Sequence, residues 1–176
     1  MGVLLFILMI IGAIIALALI IALFLPSKVI VERSMNIQAP ASIIFENVNN
    51  LRNWEAWSTW AKKDPNMISE YEGPEAGVGA THKWKGEPKT VGEGTLKIVE
   101  SEENKSIKTA IDFGRQGSGS GYWKFDEKEG VTTVLWGMST DMGKNLIGRW
   151  FGLMFDKMIG KDFEEGLSNI KKVVEG

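Results

Sequence analysis

The chain has no cysteine and a single histidine, His82, among its 176 residues. Without cysteine there is no disulfide and no thiolate nucleophile, although this absence does not separate a reducing compartment from an oxidising one. Metal sites combine several nitrogen, sulfur or oxygen ligands, so one histidine and no cysteine argue against a metal centre. The sequence predicts neither a metal nor any other cofactor.

Charge is missing from one long segment. Gly2 to Leu25, 24 residues, carry no charged or polar side chain, and Pro26 follows them. As a helix they would span about 36 Å, slightly more than a hydrocarbon core of about 30 Å. We predict a transmembrane anchor over residues 1–26 that contacts the membrane through residues 2–25. A cleaved signal peptide and a buried core helix are the alternatives, and the lack of a basic n-region disfavours the first.

The orientation of this single span depends on few charges. Lys28 and Arg33 are the basic residues close to it, and Glu32 lies between them. The positive-inside tendency therefore favours a cytoplasmic C-terminal part, although two charges bias the orientation only weakly.

The remainder, residues 27–176, has the length of one domain with a substantial core. It contains all seven tryptophans and all the charged residues, so its formal net charge equals that of the chain, −2. No large basic patch is implied, and nucleic acid is not an expected partner.

Short strand-like segments and turn residues fill most of this part. Lys28 to Ile37 alternates apolar and polar residues, and Ala39-Pro40 ends the strand before an amphipathic helix around Ile44. A second short helix is predicted over Arg52 to Trp60. Further strands are predicted at Ile68 to Gly73, Gly79 to Lys85, Val91 to Ser101, Lys105 to Phe113, Gly121 to Lys128 and Val131 to Thr140. Their spacing is typical of an antiparallel meander.

The C-terminal segment, Asn145 to Val174, has the pattern of one long helix. Its apolar residues form one broad predicted stripe: Ile147, Phe151, Met154, Phe155, Met158, Ile159, Phe163, Leu167 and Ile170. An antiparallel sheet wrapped around this helix is the simplest α+β arrangement. One helix cannot fill such a curved sheet everywhere, so we expect a pocket between them.

Several motifs occur in a characteristic order along the chain. Ile37-x-Ala39-Pro40 precedes a helix with Ile44-Phe45, and Asn50-Leu51-x-x-Trp54-x-x-Trp57-Ser58 follows. Gly77-Val78-Gly79 and Val91-Gly92-Glu93-Gly94 come next, before the aromatic C-terminal helix. In this order the chain resembles the polyketide cyclase/dehydrase and lipid-transport superfamily, the START-like or helix-grip group that includes the birch pollen allergens.

The resemblance implies a seven-stranded sheet that grips the C-terminal helix, with a cavity for an apolar or amphipathic ligand. It implies no single reaction, because the superfamily includes carriers, receptors and cyclases, and fold alone does not determine function. No catalytic set carries over to this sequence. The predicted anchor departs from the simplest soluble members and argues against a freely diffusing carrier.

Aromatic residues are the strongest candidates for a ligand site, because pockets are lined by aromatic side chains with few polar groups. Core packing is the alternative for each of them. The candidate apolar lining residues are Trp84, Ile111, Phe113, Trp123, Phe125, Trp136, Phe151 and Phe155. Trp54, Trp57 and Trp60 either belong to the short helices that close the sheet or lie at the membrane interface.

Two polar residues are added to the candidate ligand site. His82 shares a strand face with Trp84 and could act as a general base or orient a ligand, or it has no chemical role. Arg33 shares a face with Val31 and Met35, so it must be paired. Its partner is either a ligand anion or an internal carboxylate.

Catalytic alternatives have weaker support in the sequence. Glu93, Asp112 and Asp141 lie in or beside strands, where an inward carboxylate could serve acid–base work, but outward positions are the default. A cyclase or dehydratase would need a polar pair such as His82 with Glu93. The glycine-rich stretch from Gly114 to Gly121 lacks a following helix and is predicted to be a hairpin loop.

These observations predict a membrane-anchored domain that binds a hydrophobic small molecule or lipid. An enzyme that uses the same cavity and a protein-interaction module with a filled interior are the two alternatives. Binding is favoured over catalysis because no catalytic constellation is evident. The oligomeric state is not predicted.

Overall fold

The computed structural model describes residues 2–114 and 117–176. Within these residues, five α-helices and seven strands follow one another, with a 3₁₀ turn at Leu51–Asn53 after the second helix. Their order is α1 (Gly2–Phe24), β1 (Lys28–Ile37), α2 (Ala41–Asn49), α3 (Trp54–Trp57), α4 (Thr59–Lys63), β2 (Ile68–Glu72), β3 (Thr81–Lys85), β4 (Glu93–Glu102), β5 (Ser106–Asp112), β6 (Ser118–Lys128), β7 (Val131–Asp141) and α5 (Leu146–Glu175).

The apolar N-terminal segment forms helix α1, as the sequence predicts. Its 23 residues are long and apolar enough to cross a membrane, and its most apolar window has no buried residue. Length and composition alone support a span, and a signal sequence meets the same criteria. Membrane residence and the division of the chain at residue 26 therefore stay predictions.

The seven strands form one sheet in the order β1-β7-β6-β5-β4-β3-β2. Every neighbouring pair is antiparallel. The first strand joins the last one, so β1 and β2 lie at opposite edges although they are neighbours in sequence. With α5 packed on one face, the structure confirms the predicted α+β helix-grip fold.

Alternation along the strands decides which residues face α5. In β5, Ile107 and Thr109 are buried, whereas Lys108 between them and Ala110 after them are exposed. Successive strand side chains point to opposite faces, so the two-residue period of the sequence becomes one apolar and one solvated face.

The segment between β1 and β2 differs from the predicted pair of helices. The stretch Arg52 to Trp60 is divided into the 3₁₀ turn, α3 and the start of α4. Ser58 interrupts it with an extended backbone, φ −65° and ψ 133°. The chain turns at this break. Trp57 before it is fully buried, and Trp60 after it belongs to the new helix α4.

The predicted hairpin loop from Gly114 to Gly121 is wrong for its second half. Ser118 to Gly121 belong to β6 and pair with Asp112 to Thr109 of β5. Gly114 and Gly117 adopt positive φ angles of 59° and 107°, which glycine accepts readily. Arg115 and Gln116 lie outside the described residues.

Helix α5 begins after Asn145, whose side chain accepts a hydrogen bond from the Gly148 N–H at 2.9 Å. The prediction of one broad apolar stripe is wrong for its N-terminal half. Phe163, Leu167 and Ile170 are buried against the sheet, whereas Ile147 is 67% exposed. Ile147 and Phe163 are sixteen residues apart, which places them about 160° apart around the helix axis.

Candidate functional site

A cavity of about 160 Å³ lies between the inner face of the sheet, helix α5 and the short helices α3 and α4. Its walls are mostly apolar, and polar side chains are concentrated on α3, β2 and β3. The lining residues are Trp54, Glu55, Ser58, Trp60, Ala61, Met67, Ser69, Tyr71, His82, Trp84, Val91, Leu96, Thr109, Ile111, Phe113, Gly121, Trp123, Trp136, Met138, Ile159 and Phe163.

Stacked aromatic rings form the wall nearest to α5. Trp123 and Trp136 are stacked with their ring centroids 4.3 Å apart, and Phe163 of α5 stacks on Trp136 at 4.0 Å. The two tryptophans are directly opposite each other in the β6–β7 register. A cross-strand pair on the inner face therefore meets the helix, and the stack joins sheet and helix into one rigid wall.

A glycine leaves space beside this wall. Gly121 is buried in β6, where Thr109 and Met138 are its cross-strand partners. A Cβ atom at position 121 would lie 2.5 Å from Thr109 Oγ1, so a larger side chain does not fit without a shift. The absence of a side chain here keeps part of the inner face open to the cavity.

The polar end of the cavity is built by the edge strand β2 and its neighbour β3. Tyr71 of β2 and His82 of β3 are cross-strand partners, and their rings stack with centroids 4.8 Å apart. His82 Nε2 lies 3.0 Å from Ser69 Oγ, within hydrogen-bond distance. The Tyr71 hydroxyl donates a 2.9 Å hydrogen bond to Glu55 Oε1 of α3.

Burial shifts the pKa values of both rings toward their neutral forms. Desolvation lowers the pKa of His82 below its usual 6.5, and the charge of Glu55 opposes this effect. Burial, followed by the hydrogen bond to Glu55, raises the pKa of Tyr71 to about 12. At neutral pH the site therefore offers a neutral imidazole and a neutral phenol, which can hydrogen-bond an uncharged ligand group.

Six of the ten predicted ligand-site residues line the cavity: His82, Trp84, Ile111, Phe113, Trp123 and Trp136. The other four, Arg33, Phe125, Phe151 and Phe155, lie outside the lining. Contact of any of the ten with a ligand stays a prediction. The structure shows only that these six line the same cavity.

Arg33 is paired on the flank of the domain and not in the cavity. Its guanidinium donates to Glu164 Oε1 at 2.6 Å and to Asp156 Oδ1 at 2.8 Å, so it connects β1 to α5. These bonds raise the pKa of Arg33 and lower the pKa of Asp156. Of the two predicted kinds of partner, the structure contains carboxylates of the chain itself, although both are exposed and not internal.

The three phenylalanines miss the cavity for different reasons. Phe125 is buried below it and packs edge-to-face on Phe45 of α2, with centroids 5.8 Å apart. Phe155 is partly buried against the core one turn before Ile159. Phe151 is 61% exposed on the opposite side of α5 from the sheet.

The polar pair suggested for catalysis is not formed. Glu93 is exposed and opposite Lys85 in the β3–β4 register, whereas His82 is opposite Leu96. The two side chains therefore lie on different faces of the sheet. Asp112 and Asp141 are also exposed, so the carboxylate that borders the cavity is Glu55.

The sequence reasoning missed several lining residues on β2 and the short helices. Ser69 and Tyr71 occupy alternate positions of β2, so strand alternation could have assigned both to the same face. Trp54 and Trp60 line the cavity, so the membrane-interface interpretation is wrong for them. The three-residue spacing of Trp54, Trp57 and Trp60 was visible, but the break at Ser58 that separates Trp60 from the other two was not.

Fold and site together define a helix-grip protein, in which a curved antiparallel sheet holds a long helix over an apolar cavity. A family model described as polyketide cyclase / dehydrase and lipid transport matches residues 28–175. The chain therefore belongs to that family. A comparison with curated proteins finds no match.

Solved structures of the same fold come from several bacteria. Protein SA2116 from Staphylococcus aureus, of unknown function, has a TM-score of 0.62 at 13% identity over 84% of this chain and 94% of its own. Protein CV1439 from Chromobacterium violaceum has a TM-score of 0.60 at 8% identity, over 84% of this chain and 97% of its own. The Aha1 dimer from Colwellia psychrerythraea has a TM-score of 0.59 at 16% identity, over 84% of this chain and 96% of its own. Such low identities support the fold alone.

Proposed function

We propose that this protein holds a small hydrophobic molecule, or the apolar part of a lipid, in the cavity beneath α5 while α1 anchors it in a membrane. The observation that carries the proposal is the cavity itself: its stacked aromatic wall is apolar, and its hydrogen-bonding groups lie at one end. This combination is the usual composition of a ligand pocket. The family description, which includes lipid transport, agrees with it.

The size of the cavity limits the ligand. A cavity of about 150 Å³ lined by apolar side chains accepts one benzene molecule. The 160 Å³ found here therefore suits one ring or a short hydrocarbon segment. A larger lipid would place only part of its length inside.

The polar end selects the ligand's functional group. His82 and Ser69 present a neutral donor–acceptor pair, and charging either the imidazole or the Tyr71 phenol is unfavourable in this position. We therefore expect an uncharged hydroxyl or carbonyl group at this end, because a buried ion without a partner is costly.

Catalysis by the cyclase or dehydratase route is the second candidate, and the neutral imidazole of His82 is the observation that favours it. Acid–base work also needs an acid of suitable pKa within reach of the substrate. Tyr71, the adjacent ring, has a pKa raised to about 12 and already donates to Glu55. Binding is therefore the better-supported function.

Filling the cavity tests the proposal. Ala61 lines the cavity from α4, whereas Ala56 is exposed on α3 and does not. We expect Ala61→Phe to displace ligand and Ala56→Phe to retain it. The full chain of each variant is purified in the same detergent, and its co-purifying small molecules are extracted and quantified by mass spectrometry against equal protein.

Lipid that adheres to α1 is common to all three proteins, so the difference between the two variants reports on the cavity. A molecule present in wild type and Ala56→Phe and depleted in Ala61→Phe supports binding. Equal amounts in both variants, with both folded by circular dichroism, would contradict the proposal.

A further inference from the structure

The N-terminal half of α5 carries an apolar surface that faces away from the sheet. Ile147, Phe151, Met154 and Met158 form its outer face, with exposed fractions of 67, 61, 57 and 60%. Their i, i+4, i+7, i+11 spacing places them along one side of the helix. Contiguous exposed apolar surface of this kind marks an interaction site more often than scattered single residues do.

This surface begins where α5 meets the end of α1. Arg149 Nη1 donates to the carbonyl oxygens of Ala22, Leu23 and Leu25, at 3.2, 3.0 and 3.2 Å. These carbonyls belong to the last turn of α1 and the residue beyond it, which have no partners within their own helix. A cation there also complements the negative end of the helix dipole, so the junction is a defined contact.

The next residue fixes the depth of α5 relative to α1. Trp150 Nε1 donates to the Ala18 carbonyl at 3.2 Å. Ala18 precedes Leu25 by seven residues, or about 10 Å along a helix. Interfacial helices bury their apolar face about 5–10 Å into the boundary between headgroups and acyl chains, where tryptophan is enriched. Trp150 therefore reaches the depth expected of such a helix.

Charge around the outer face agrees with a lipid surface. Lys144, Lys157 and Lys161 are exposed near it. The acidic Asp156 is instead bound to Arg33 on the side that faces β1. Basic side chains beside an apolar face suit the anionic headgroups of a bilayer.

We propose that the outer face of α5 is embedded in the interface of the same bilayer that α1 spans, so that lipid covers it. This inference rests on the membrane anchor in the proposed function. Ile159, which follows Met158 of the outer face, lines the cavity. The helix wall of the cavity thus adjoins the lipid, which gives an apolar ligand a short route between bilayer and cavity.

Single-cysteine labelling tests this placement cleanly, because the chain has no native cysteine. Phe151→Cys, Met154→Cys and Met158→Cys in the full chain are labelled with an environment-sensitive fluorophore. Val173→Cys is the matched control, an apolar residue 45% exposed near the other end of α5. The proteins are reconstituted in vesicles of phosphatidylcholine and phosphatidylglycerol, and quenching by acyl-chain doxyl lipid is compared with quenching by aqueous iodide.

We expect the three outer-face labels to be quenched several-fold more by doxyl lipid than the Val173 label, which iodide should quench instead. Iodide quenching of all four labels would overturn the proposal. Protection from both quenchers would also overturn it, because a second copy or another protein would then cover the face. Failure of α1 to insert, detected by alkaline extraction, overturns it too.

The ligand assay in detergent separates this inference from the proposed function. If the outer-face labels are quenched by iodide while the labelled chains still carry the co-purified molecule, the bilayer placement fails and ligand binding stands. If the labels are quenched by doxyl lipid but Ala61→Phe carries as much ligand as Ala56→Phe, the opposite holds.

Discussion

His82 is a titratable group at the boundary between solvent and an apolar cavity. Its ring is held between Tyr71 and Ser69, and burial lowers its pKa below 6.5. The native state therefore binds fewer protons than the unfolded chain as the pH falls through this range. The free energy of unfolding decreases as the pH falls wherever the unfolded state binds more protons than the native state. Acidification below about pH 6.5 should therefore weaken the fold.

Removing the imidazole tests this linkage. His82→Gln keeps hydrogen-bonding capacity but does not titrate, so the fall in unfolding free energy between pH 7.5 and 5 should be smaller than in wild type. The measurement is denaturant unfolding of the detergent-solubilised chain, followed by tryptophan fluorescence. All other titratable groups are the same in the two proteins. Equal pH dependence of their unfolding free energies would therefore rule out a neutral, buried His82.

Two of the cavity tryptophans, Trp54 and Trp84, contribute to the site through their rings, because their N–H groups are bonded elsewhere. Trp54 Nε1 donates to the Val48 carbonyl at 2.8 Å and Trp84 Nε1 to the Val91 carbonyl at 3.1 Å. The polar edges of these indoles are thereby satisfied and the apolar faces line the cavity. Such pairing joins the side chains to the backbone of the end of α2 and of the loop before β4, and residue spacing alone does not predict it.

At the scale of elements, α5 approaches the sheet closely at glycine positions. Gly166 is buried against Trp136, and an added Cβ would lie 2.7 Å from the indole Cζ3. Trp136 has little freedom to move, because Phe163 and Trp123 stack on its two sides. The close contact between helix and sheet thus depends on the missing side chain.

We expect Gly166→Ala to destabilise the protein although alanine favours helices. The propensity gain is about 1 kcal/mol, whereas overpacking a tight core costs about 1–3 kcal/mol. The net loss is measured as a shift of the denaturant midpoint. Lys172→Ala, an exposed change on the same helix, is the control and should alter the midpoint little; a stabilised Gly166→Ala would contradict the tight contact.

Helix α5 also shows why an apolar pattern alone was misleading. The pattern predicted one stripe, but the first and second halves use different sides of the helix. The inner side, around Phe163 and Leu167, packs on the sheet, whereas the outer face begins at Ile147. Angular position around the axis would have separated them, since a drift of about 160° is too large for one face.

At the scale of the whole molecule, α1 and the sheet domain meet at Arg149 and Trp150 of α5. These contacts are expected if the N-terminal helix is retained, because a leader removed after export would take them away. An anchor retained as we propose would limit the protein to ligands that it meets at the bilayer surface.

Retention of the anchor is a direct prediction. The protein isolated from its native membranes should have the intact mass of the full chain and should stay in the pellet after alkaline extraction. Arg149→Met provides a second test, because it removes the hydrogen bonds between α5 and the end of α1. The span should stay inserted in this variant, and a protease should cut the chain near residue 26 more readily than in wild type. A mature chain lacking residues 1–26 would show that the segment is a signal peptide.

Much of the fold was predictable from local patterns. Seven strands, the long C-terminal helix and the apolar N-terminal helix follow from periodicity and turn residues, and β1 was predicted with its observed bounds. Six of the ten predicted ligand-site residues share the cavity because strand alternation alone assigns each side chain to one face. For the others, Arg33 found partners on α5, and no pattern within β1 could reveal them.

The sequence by itself therefore determined the strands, their faces, the long C-terminal helix and the apolar N-terminal helix, since these depend on neighbours within a few residues. Tertiary structure decided which faces meet: the Trp123–Trp136–Phe163 wall, the His82–Ser69 end of the cavity, and the exposed outer face of α5. Each of these depends on how distant segments are placed by sheet order and by the turn at Ser58. Such contacts arise only when the chain closes on itself, so they are absent from any local pattern.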